Sequence, residues 1–277
     1  FIDSHNQRDS LKKALDSLDL ENYDLLLGPL YSKRVQQITD FGVAWKSVNL
    51  MSKSPAIEGL GVYNTVVSED IFYQMLRELI NDRDSLNAKS IPLIVTKGLS
   101  KECELFFEGF NNPNKRLIVN DEKWSSNEAL AELDSALHYE LIIYDSDPAF
   151  MLDVLRNLRS GLASYSLFGT EYQLFNSGIT NDNFTREAEV ICAMSSYLSY
   201  KDTNTLLFVE AFRSHFGIEP NQYSIRGYDI ADYHIQRHLY GGGPMRGIFL
   251  GFDFTQDQQN RWVELRRFDN FEWKSLR

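Results

Sequence analysis

The chain has 277 residues, of which 28 are Lys or Arg and 39 are Asp or Glu, so its formal net charge at pH 7 is −11. This acidic balance argues against a nucleic-acid partner, because binding a phosphate backbone requires a clustered basic face. The presence of only two cysteines excludes a disulfide-rich scaffold and a cysteine-based zinc cluster. No apolar run approaches the roughly 20 residues that a membrane-spanning helix needs.

Short apolar runs alternate with helical patterns along the first two thirds of the chain. The runs cover residues 23–27, 91–95, 116–119, 140–144 and 164–168, and helical patterns cover 32–41, 101–110, 127–137 and 148–158. Continuous apolar runs of this length are typical of strands buried on both faces of a parallel sheet. Their alternation with helices predicts a doubly wound α/β architecture.

Two longer helices are predicted in the last third of the chain. In the segment after them, the spacing of apolar residues changes to a period of two. The helices are predicted at Thr205–Phe216 and Gln222–Leu239, and a Gly-Gly-Gly-Pro run at 241–244 ends the second one. After this break, residues 248–254 and 262–268 alternate with a period of two. They are predicted to form a terminal antiparallel pair of strands.

The order of these segments resembles the type I periplasmic-binding-protein family, which includes the leucine/isoleucine/valine-binding proteins. The resemblance rests on the apolar strand that ends in Gly28-Pro29 before Ser32, on the segment from Phe208 to Ala231 with its Gly-Tyr-Asp motif, and on the Gly-Phe-Asp-Phe run at 251–254. Within the family the chain is most similar to envelope lipoproteins of Bacteroidetes, which often carry LysM peptidoglycan-binding modules. It also resembles the activator lipoproteins of penicillin-binding proteins.

This resemblance implies two doubly wound parallel-sheet lobes joined by a three-strand hinge, with a ligand in the cleft between them. Lobe one is expected to comprise residues 1–88 and 202–243, and lobe two residues 89–201 and 244–277. In the family, a strand and a helix precede the segment that Phe1-Ile2-Asp3-Ser4 resembles. The first βα unit is therefore expected to be missing, either by trimming or because a partner segment supplies it.

Four turns at strand ends supply the candidate ligand-binding residues. They are Tyr31 and Ser32, Ser52 and Lys53, Tyr144 and Asp145, and Glu171 and Tyr172. Free backbone N–H groups and the Ser32 hydroxyl could hold a carboxylate at a helix start, although Ser32 could equally only cap its helix. Lys53 stands where the family has a threonine, so it is either an anion partner or a solvated surface lysine.

The other two turns combine aromatic and acidic side chains. Tyr144 could stack on a ligand and Asp145 could hold an amine, while the alternative is a plain turn with Asp147 as the N-cap before Pro148. By the resemblance, Glu171 matches the acid that faces a ligand ammonium, and Tyr172 could pack on the ligand. The alternative for Glu171 is an ordinary exposed carboxylate.

Metal, redox and catalytic sites receive little support from the sequence. His234 and His238 have the spacing of a zinc pair, but the metalloprotease glutamate and further ligands are missing. Cys103 and Cys192 are interpreted as buried small side chains, with a disulfide between them left open. No nucleophile elbow or phosphate loop occurs. We therefore predict no catalytic residue, metal or cofactor, and a protein that is not an enzyme.

The predicted function is that of a non-catalytic extracytoplasmic binding module for a small polar ligand, amino-acid-like or derived from the cell wall. The alternative is a protein-interaction module in cell-envelope or peptidoglycan assembly with a degenerate cleft. Either function places the protein in a bacterial periplasm or on an outer-membrane lipoprotein anchor. The expected partners are a small polar ligand as in ABC transport, or an envelope protein, together with a homodimer through lobe one.

Overall fold

The computed structural model describes residues 8–19, 22–28, 37, 47–51, 62–86, 90–120, 130, 133–161, 164–176 and 189–276. Within these ranges the helices are α1 (Arg8–Asp16), α2 (Glu69–Leu86), α3 (Lys101–Glu108), α4 (Pro148–Ser160), α5 (Glu171–Asn176), α6 (Thr203–Phe216) and α7 (Gln222–Tyr240). The strands are β1 (Leu26–Leu27), β2 (Ser47–Asn49), β3 (Tyr63–Asn64), β4 (Ser90–Thr96), β5 (Arg116–Val119), β6 (His138–Ile143), β7 (Ser164–Thr170), β8 (Val190–Met194), β9 (Met245–Arg246), β10 (Gly251–Phe252), β11 (Glu264–Asp269) and β12 (Glu272–Ser275). None of the helices in these ranges combines the length and the apolar character that a membrane crossing requires.

The chain divides into two compact units, and each unit is built from two separate segments. Unit one comprises Phe1–Ser68 and Ser195–Trp262, and unit two comprises Glu69–Met194 and Val263–Arg277. The compact units change segment after residues 68, 194 and 262, whereas the lobes are predicted to change near 88, 201 and 243; the lobe assignment stays a prediction.

Packing explains both of the larger differences. Helix α2, expected in lobe one, packs on β4, β7 and β8 of unit two and buries Phe72, Leu76 and Ile80 completely. Residues 245–262, expected in lobe two, belong to unit one, where Phe252 and Phe254 join its apolar core.

Unit two contains a seven-stranded sheet in the order β12-β11-β8-β7-β6-β4-β5. The five strands β4, β5, β6, β7 and β8 are parallel, and β11 and β12 add to one edge in antiparallel fashion. Strands β4 and β8 are buried at every position, as expected of strands covered on both faces. The α/β prediction with a mostly parallel sheet is confirmed.

The pairing predicted for the last two strands is wrong. Strand β10 pairs with β9 in unit one, with Gly251 opposite Arg246, whereas β11 pairs with β8 and β12 in unit two. Strand β11 turns directly into β12 because Asn270 and Phe271 both adopt positive φ, 50° and 63°. Two such residues form the tight turn that matches the twist of a hairpin.

Unit one holds a three-stranded parallel sheet in the order β1-β2-β3 and the antiparallel pair β9-β10. Its core gathers Val48 from β2, Ile230 and Tyr233 from α7, and Phe252 from β10. Helix α7 begins at the Asn221 cap, whose side chain accepts hydrogen bonds from the N–H groups of Tyr223 and Ser224.

Most individual elements agree with the sequence pattern where the structure describes them. The apolar runs at 91–95, 116–119, 140–144 and 164–168 lie in β4 to β7, and the helices predicted at 101–110, 148–158, 205–216 and 222–239 are α3, α4, α6 and α7. The helix predicted at 32–41 lies outside the described residues apart from Gln37. In the helix predicted at 127–137, Leu130 is helical, but residues 133–137 form bends and turns before β6, so the predicted end of that helix is wrong. Phe1–Ser4 lie outside the described residues completely, so the missing βα unit stays a prediction.

Candidate functional site

Four of the eight predicted ligand-binding residues lie outside the described residues, and their assignment stays a prediction. These are Tyr31, Ser32, Ser52 and Lys53. The other four, Tyr144, Asp145, Glu171 and Tyr172, all lie in unit two.

The sheet topology brings these four residues to one edge. Strands β6 and β7 are parallel neighbours, with Ile142 of β6 opposite Phe168 of β7. Tyr144 and Asp145 follow β6 directly, and Glu171 and Tyr172 follow β7. The carboxyl ends of parallel strands are where open α/β sheets bind ligands. We call these four residues, together with Tyr73 of α2, the strand-end cluster.

Gln173, in the first turn of α5, connects the two strand ends. Its Nε2 has three acceptors within hydrogen-bond distance for its two protons: the carbonyl oxygens of Ile143 at 2.6 Å and of Asp145 at 2.9 Å, and the hydroxyl of Tyr73 at 2.7 Å. Its Oε1 accepts from the N–H of Thr170 at 3.0 Å. One buried amide thus fixes the spacing of β6, β7 and α2.

Tyr144 is stacked on Tyr73, with ring centroids 4.4 Å apart and an interplanar angle of 27°. Phe106 of α3 lies 5.4 Å from the Tyr144 ring. Burial, with a smaller effect of nearby negative charges, raises the pKa of Tyr144 to about 12. Burial, followed by the charge of Glu69, also raises the pKa of Tyr73 well above its ordinary value. Both phenols are therefore neutral hydrogen-bond donors at any physiological pH.

Asp145 and Asp147 share the turn after β6 but do different things. Asp147 caps α4 by accepting from the N–H of Ala149 at 2.9 Å and pairs with Lys97 Nζ at 2.7 Å. The hydrogen bond from Lys97 holds the pKa of Asp147 below its usual range. The predicted N-cap is thus confirmed. Asp145 Oδ1 accepts from the N–H of Asp147 at 2.7 Å, and Oδ2 takes no hydrogen bond from the part of the chain that the structure describes.

Glu171 is buried and Tyr172 is half-buried, although both follow directly after a strand end. Glu171 is only 9% exposed, so the alternative of an ordinary surface carboxylate is wrong. Burial and then the charge of Glu171 raise the pKa of the thiol of Cys192. The Tyr172 ring meets Phe72 of α2 edge to face at 5.3 Å.

The histidine pair on α7 is divided between two environments. His234 is 5% exposed, whereas His238 is exposed and lies 3.9 Å from an Asp24 oxygen. Across the described ranges, no group of three or more His, Cys, Asp or Glu side chains could hold a metal ion. Cys103 and Cys192 are buried and are not joined in a disulfide.

Sequence reasoning missed Gln173 and Tyr73. A glutamine in a short helix after a strand is normally exposed, and only the pairing of β6 with β7 places its amide between two strand ends. Tyr73 belongs to α2, a helix that the pattern analysis did not single out. Its spacing of Phe72, Leu76 and Ile80 at every fourth residue is the signal that could have identified it.

No protein-family model matches the sequence, and no curated protein matches it significantly. Solved structures, however, match nearly the whole chain. A branched-chain amino acid ABC transporter protein from Rhodospirillum rubrum has 12% identity and a TM-score of 0.64, over 99% of this chain and 86% of its own. A substrate-binding protein from Desulfitobacterium hafniense, in complex with Leu, has 15% identity and a TM-score of 0.58, over 99% and 87%.

The C-domain of LpoA from Haemophilus influenzae, described as a regulator of PBP1A, has 12% identity and a TM-score of 0.55, over 97% of this chain and 86% of its own. Similarity at this level of identity bears on the fold. The chain has the fold of type I periplasmic binding proteins.

Proposed function

We propose that the protein is a non-catalytic binding module that acts outside the cytoplasm and holds a small polar ligand, amino-acid-like or derived from the cell wall. The observation that supports this most is the strand-end cluster, which gathers three tyrosines and two carboxylates at the carboxyl edge of the unit-two sheet, where Gln173 bonds Tyr73 to the end of β6 that carries Tyr144 and Asp145. Sites of this kind combine apolar walls with a few placed polar groups.

The composition of the strand-end cluster favours a ligand that carries an amine. Asp145 has a carboxylate oxygen that no described residue uses, and it lies next to the half-buried Tyr144 ring. An ammonium group is attracted both by a carboxylate and by the face of an aromatic ring. The assignment of Tyr31, Ser32, Ser52 and Lys53 as ligand-binding residues is a separate part of this proposal.

A thermal-shift panel tests this proposal. Amino acids, amino sugars, nucleosides and muropeptides would each be added to the wild type and to Asp145→Asn. A ligand present at 100 times its dissociation constant stabilises the folded state by about 2.7 kcal/mol, which is a shift of several degrees. We expect an amine-bearing compound to give this shift in the wild type and a much smaller one in Asp145→Asn.

Asp153→Asn provides the matched control, because Asp153 is a half-exposed carboxylate on α4 of the same unit. This variant should keep the full shift. A panel without any response in the wild type would argue against a small-ligand function. An equal shift in wild type and Asp145→Asn would remove Asp145 from the site.

A protein-interaction function in envelope or peptidoglycan assembly is the second candidate. It is favoured by the match to LpoA, whose full-length structure aligns with 97% of this chain at a TM-score of 0.57. In that case the ligand panel stays silent, and the purified protein binds a penicillin-binding protein with a measurable dissociation constant. Binding would be unchanged in Asp145→Asn.

The finer assignments belong to the same proposal. They are a lipoprotein anchor, an association with LysM modules, an origin in Bacteroidetes and a homodimer through unit one. A lipobox or LysM repeats in the reading frame upstream of Phe1, together with fractionation of labelled cells, would test the first two.

A further inference from the structure

A series of hydrogen-bonded side chains lies at the amino ends of β6 and β7, away from the strand-end cluster at their carboxyl ends. His138 and Ser164 are the first residues of these strands and lie opposite each other in the parallel register. The His138 ring lies between two hydroxyl groups, with Nδ1 2.8 Å from Ser164 Oγ and Nε2 3.0 Å from Ser166 Oγ. Ser166 donates in turn to Glu189 Oε2 at 3.3 Å. We call Ser164, His138, Ser166 and Glu189 the serine–histidine cluster.

Arg83 keeps the carboxylate of the serine–histidine cluster ionised. Its guanidinium, on α2, donates to both oxygens of Glu189, at 2.7 and 3.3 Å. Burial alone would raise the pKa of Glu189, but the hydrogen bond and the charge of Arg83 outweigh burial and hold this pKa below its ordinary value. An ionised carboxylate can only accept hydrogen bonds, so the proton between Ser166 and Glu189 belongs to Ser166.

The position of each proton in the serine–histidine cluster follows from this. Because Ser166 donates its single hydroxyl proton to Glu189, its oxygen can only accept from His138, and Nε2 therefore carries the ring proton. Burial, opposed by the charge of Glu189 and supported by that of Arg83, lowers the pKa of His138, so the ring is neutral at pH 7. A neutral ring carries one proton, which leaves Nδ1 as the acceptor for the hydroxyl of Ser164.

Burial increases along the serine–histidine cluster from one end to the other. Ser164 is exposed, His138 is half-buried and Ser166 is only 3% exposed. A serine hydroxyl bonded to a neutral imidazole, whose other nitrogen is oriented by a third group, is the arrangement that makes serine a nucleophile. We propose that Ser164 accepts an acyl group from an activated ester, with His138 as its general base. Ser166 and Glu189 are positioning residues that hold the His138 ring in the required tautomer.

The acyl transfer is balanced without a further reactant. With p-nitrophenyl acetate, a bond forms between Ser164 Oγ and the carbonyl carbon, and the bond from that carbon to the nitrophenyl oxygen breaks. Nδ1 of His138 takes the hydroxyl proton and later releases it to water, while p-nitrophenolate leaves. One acetyl group is added per chain, so the reaction is a stoichiometric modification. It does not depend on a ligand in the strand-end cluster, and the two proposals can fail independently.

Acetylation of the full chain by p-nitrophenyl acetate, stopped with acid and located by peptide mass spectrometry, tests the proposal. Ser275 is the internal reference, because it is also exposed on a strand of unit two but lies opposite Arg266 and not opposite a histidine. A positioned general base contributes roughly 10²–10⁴-fold to such a reaction, so Ser164 should be acetylated at least about 100-fold faster than Ser275. Equal rates at the two serines would overturn the proposal.

The pH profile of the wild type distinguishes a general base from a hydroxyl that is merely exposed. Within the part of the chain that the structure describes, the charged groups that act on His138 are Glu189 and, on α2, Arg83. Since the pKa of His138 lies below its ordinary value of about 6.5, the rate at Ser164 should reach half its maximum below that pH and then level off. In Glu189→Gln the midpoint should move to lower pH, because the negative charge that raises the His138 pKa is removed. A wild-type rate that keeps rising to about pH 9 would show attack without this base and contradict the proposal.

Replacing the base gives an independent readout. His138→Gln keeps a side chain that can form hydrogen bonds but cannot take the proton, so acetylation of Ser164 should slow by at least about 100-fold. His215→Gln is the matched control, because His215 is exposed on α6 of unit one, and it should keep the wild-type rate. His138→Asn replaces His138→Gln if circular dichroism shows that the latter does not fold. Acetylation of Ser164 at the wild-type rate without His138 would refute its role as the base.

Discussion

A single buried amide organises the candidate site. Gln173 bonds to the last residue of β6, to the turn that follows, to Tyr73 of α2 and to the end of β7. Each of these groups would otherwise be a polar atom inside a protein without a partner, which costs about 1–3 kcal/mol. Gln173 therefore contributes both to stability and to the position of Tyr144 and Asp145.

Replacing Gln173 by Leu should lower the free energy of unfolding by about 2–4 kcal/mol, because it leaves two carbonyl oxygens and one N–H unsatisfied. The measurement is denaturant unfolding followed by circular dichroism. Gln74→Leu, on the exposed side of α2, should change the free energy by less than about 0.5 kcal/mol. Similar losses in both variants would mean that the bonds of Gln173 are not what stabilises this edge.

His234 makes stability depend on acidity. Its ring lies among Tyr63, Tyr233 and Phe254, with centroids 5.2–6.0 Å away, and Arg237 is close by on the same helix. Burial and then the charge of Arg237 lower the pKa of His234 to about 4. The folded protein therefore keeps this histidine neutral at a pH where the unfolded chain already binds a proton.

The sign of the effect follows from that difference in proton binding. Stability is complete above the ordinary histidine pKa of about 6.5 and is lost as the pH falls from there towards 4, by up to about 3 kcal/mol. In His234→Leu, unfolding free energies measured between pH 7 and 4.5 should fall less steeply than in the wild type. His215→Gln, at an exposed position, should show the wild-type slope. Parallel slopes in wild type and His234→Leu would contradict the assignment.

At the scale of elements, the segment before β10 is held to α7 by one carboxylate. Asp229 accepts hydrogen bonds from the N–H groups of Ile248, Phe249 and Leu250 at 2.7–2.9 Å. A side chain at Gly247 would meet this carboxylate, so the close approach requires glycine there. The Gly-Tyr-Asp motif thus attaches residues 247–250 to the helix.

Asp229→Ala should destabilise unit one by about 2–4 kcal/mol, since three buried N–H groups lose their acceptor. Amide hydrogen exchange should speed up at residues 248–250. Asp232→Ala is the control, because Asp232 lies on the same helix but accepts none of these three hydrogen bonds. This variant should leave the exchange rates of the three amides unchanged. Unaltered protection in Asp229→Ala would show that the segment is held by its apolar contacts instead.

Elements were predictable where their signal is local. The continuous apolar runs of β4 and β6 and the Asp147-Pro148 start of α4 indicate their structures directly. The partner of β10 was not predictable, because alternation with a period of two identifies a strand and one buried face but not its neighbour. For the same reason, the hydrogen bonds of Gln173 could not be predicted without knowing that β6 and β7 are neighbouring strands.

Each of the two units is built from two separate segments of the chain, so a single continuous fragment does not contain a whole unit. Unit two needs Val263–Arg277, because β11 covers the edge of β8, a strand that is buried at every position. A fragment of residues 69–194 would expose that edge and its apolar faces, which favours aggregation. The two segments of unit two nevertheless end close together, since Met194 of β8 lies opposite Glu264 of β11 in an antiparallel pair.

Joining residues 69–194 to 264–277 by a short loop containing Asn-Gly should therefore give a protein that folds by itself. The loop converts the β8–β11 pair into a hairpin, for which such loops are the favoured connection. We expect a cooperative thermal transition and a monomeric sedimentation profile for the joined protein. The fragment of residues 69–194 alone should give a far lower soluble yield than the joined protein. Equal behaviour of the two proteins would mean that β11 and β12 do not complete unit two. A joined protein without a transition would mean that unit two depends on unit one for its stability.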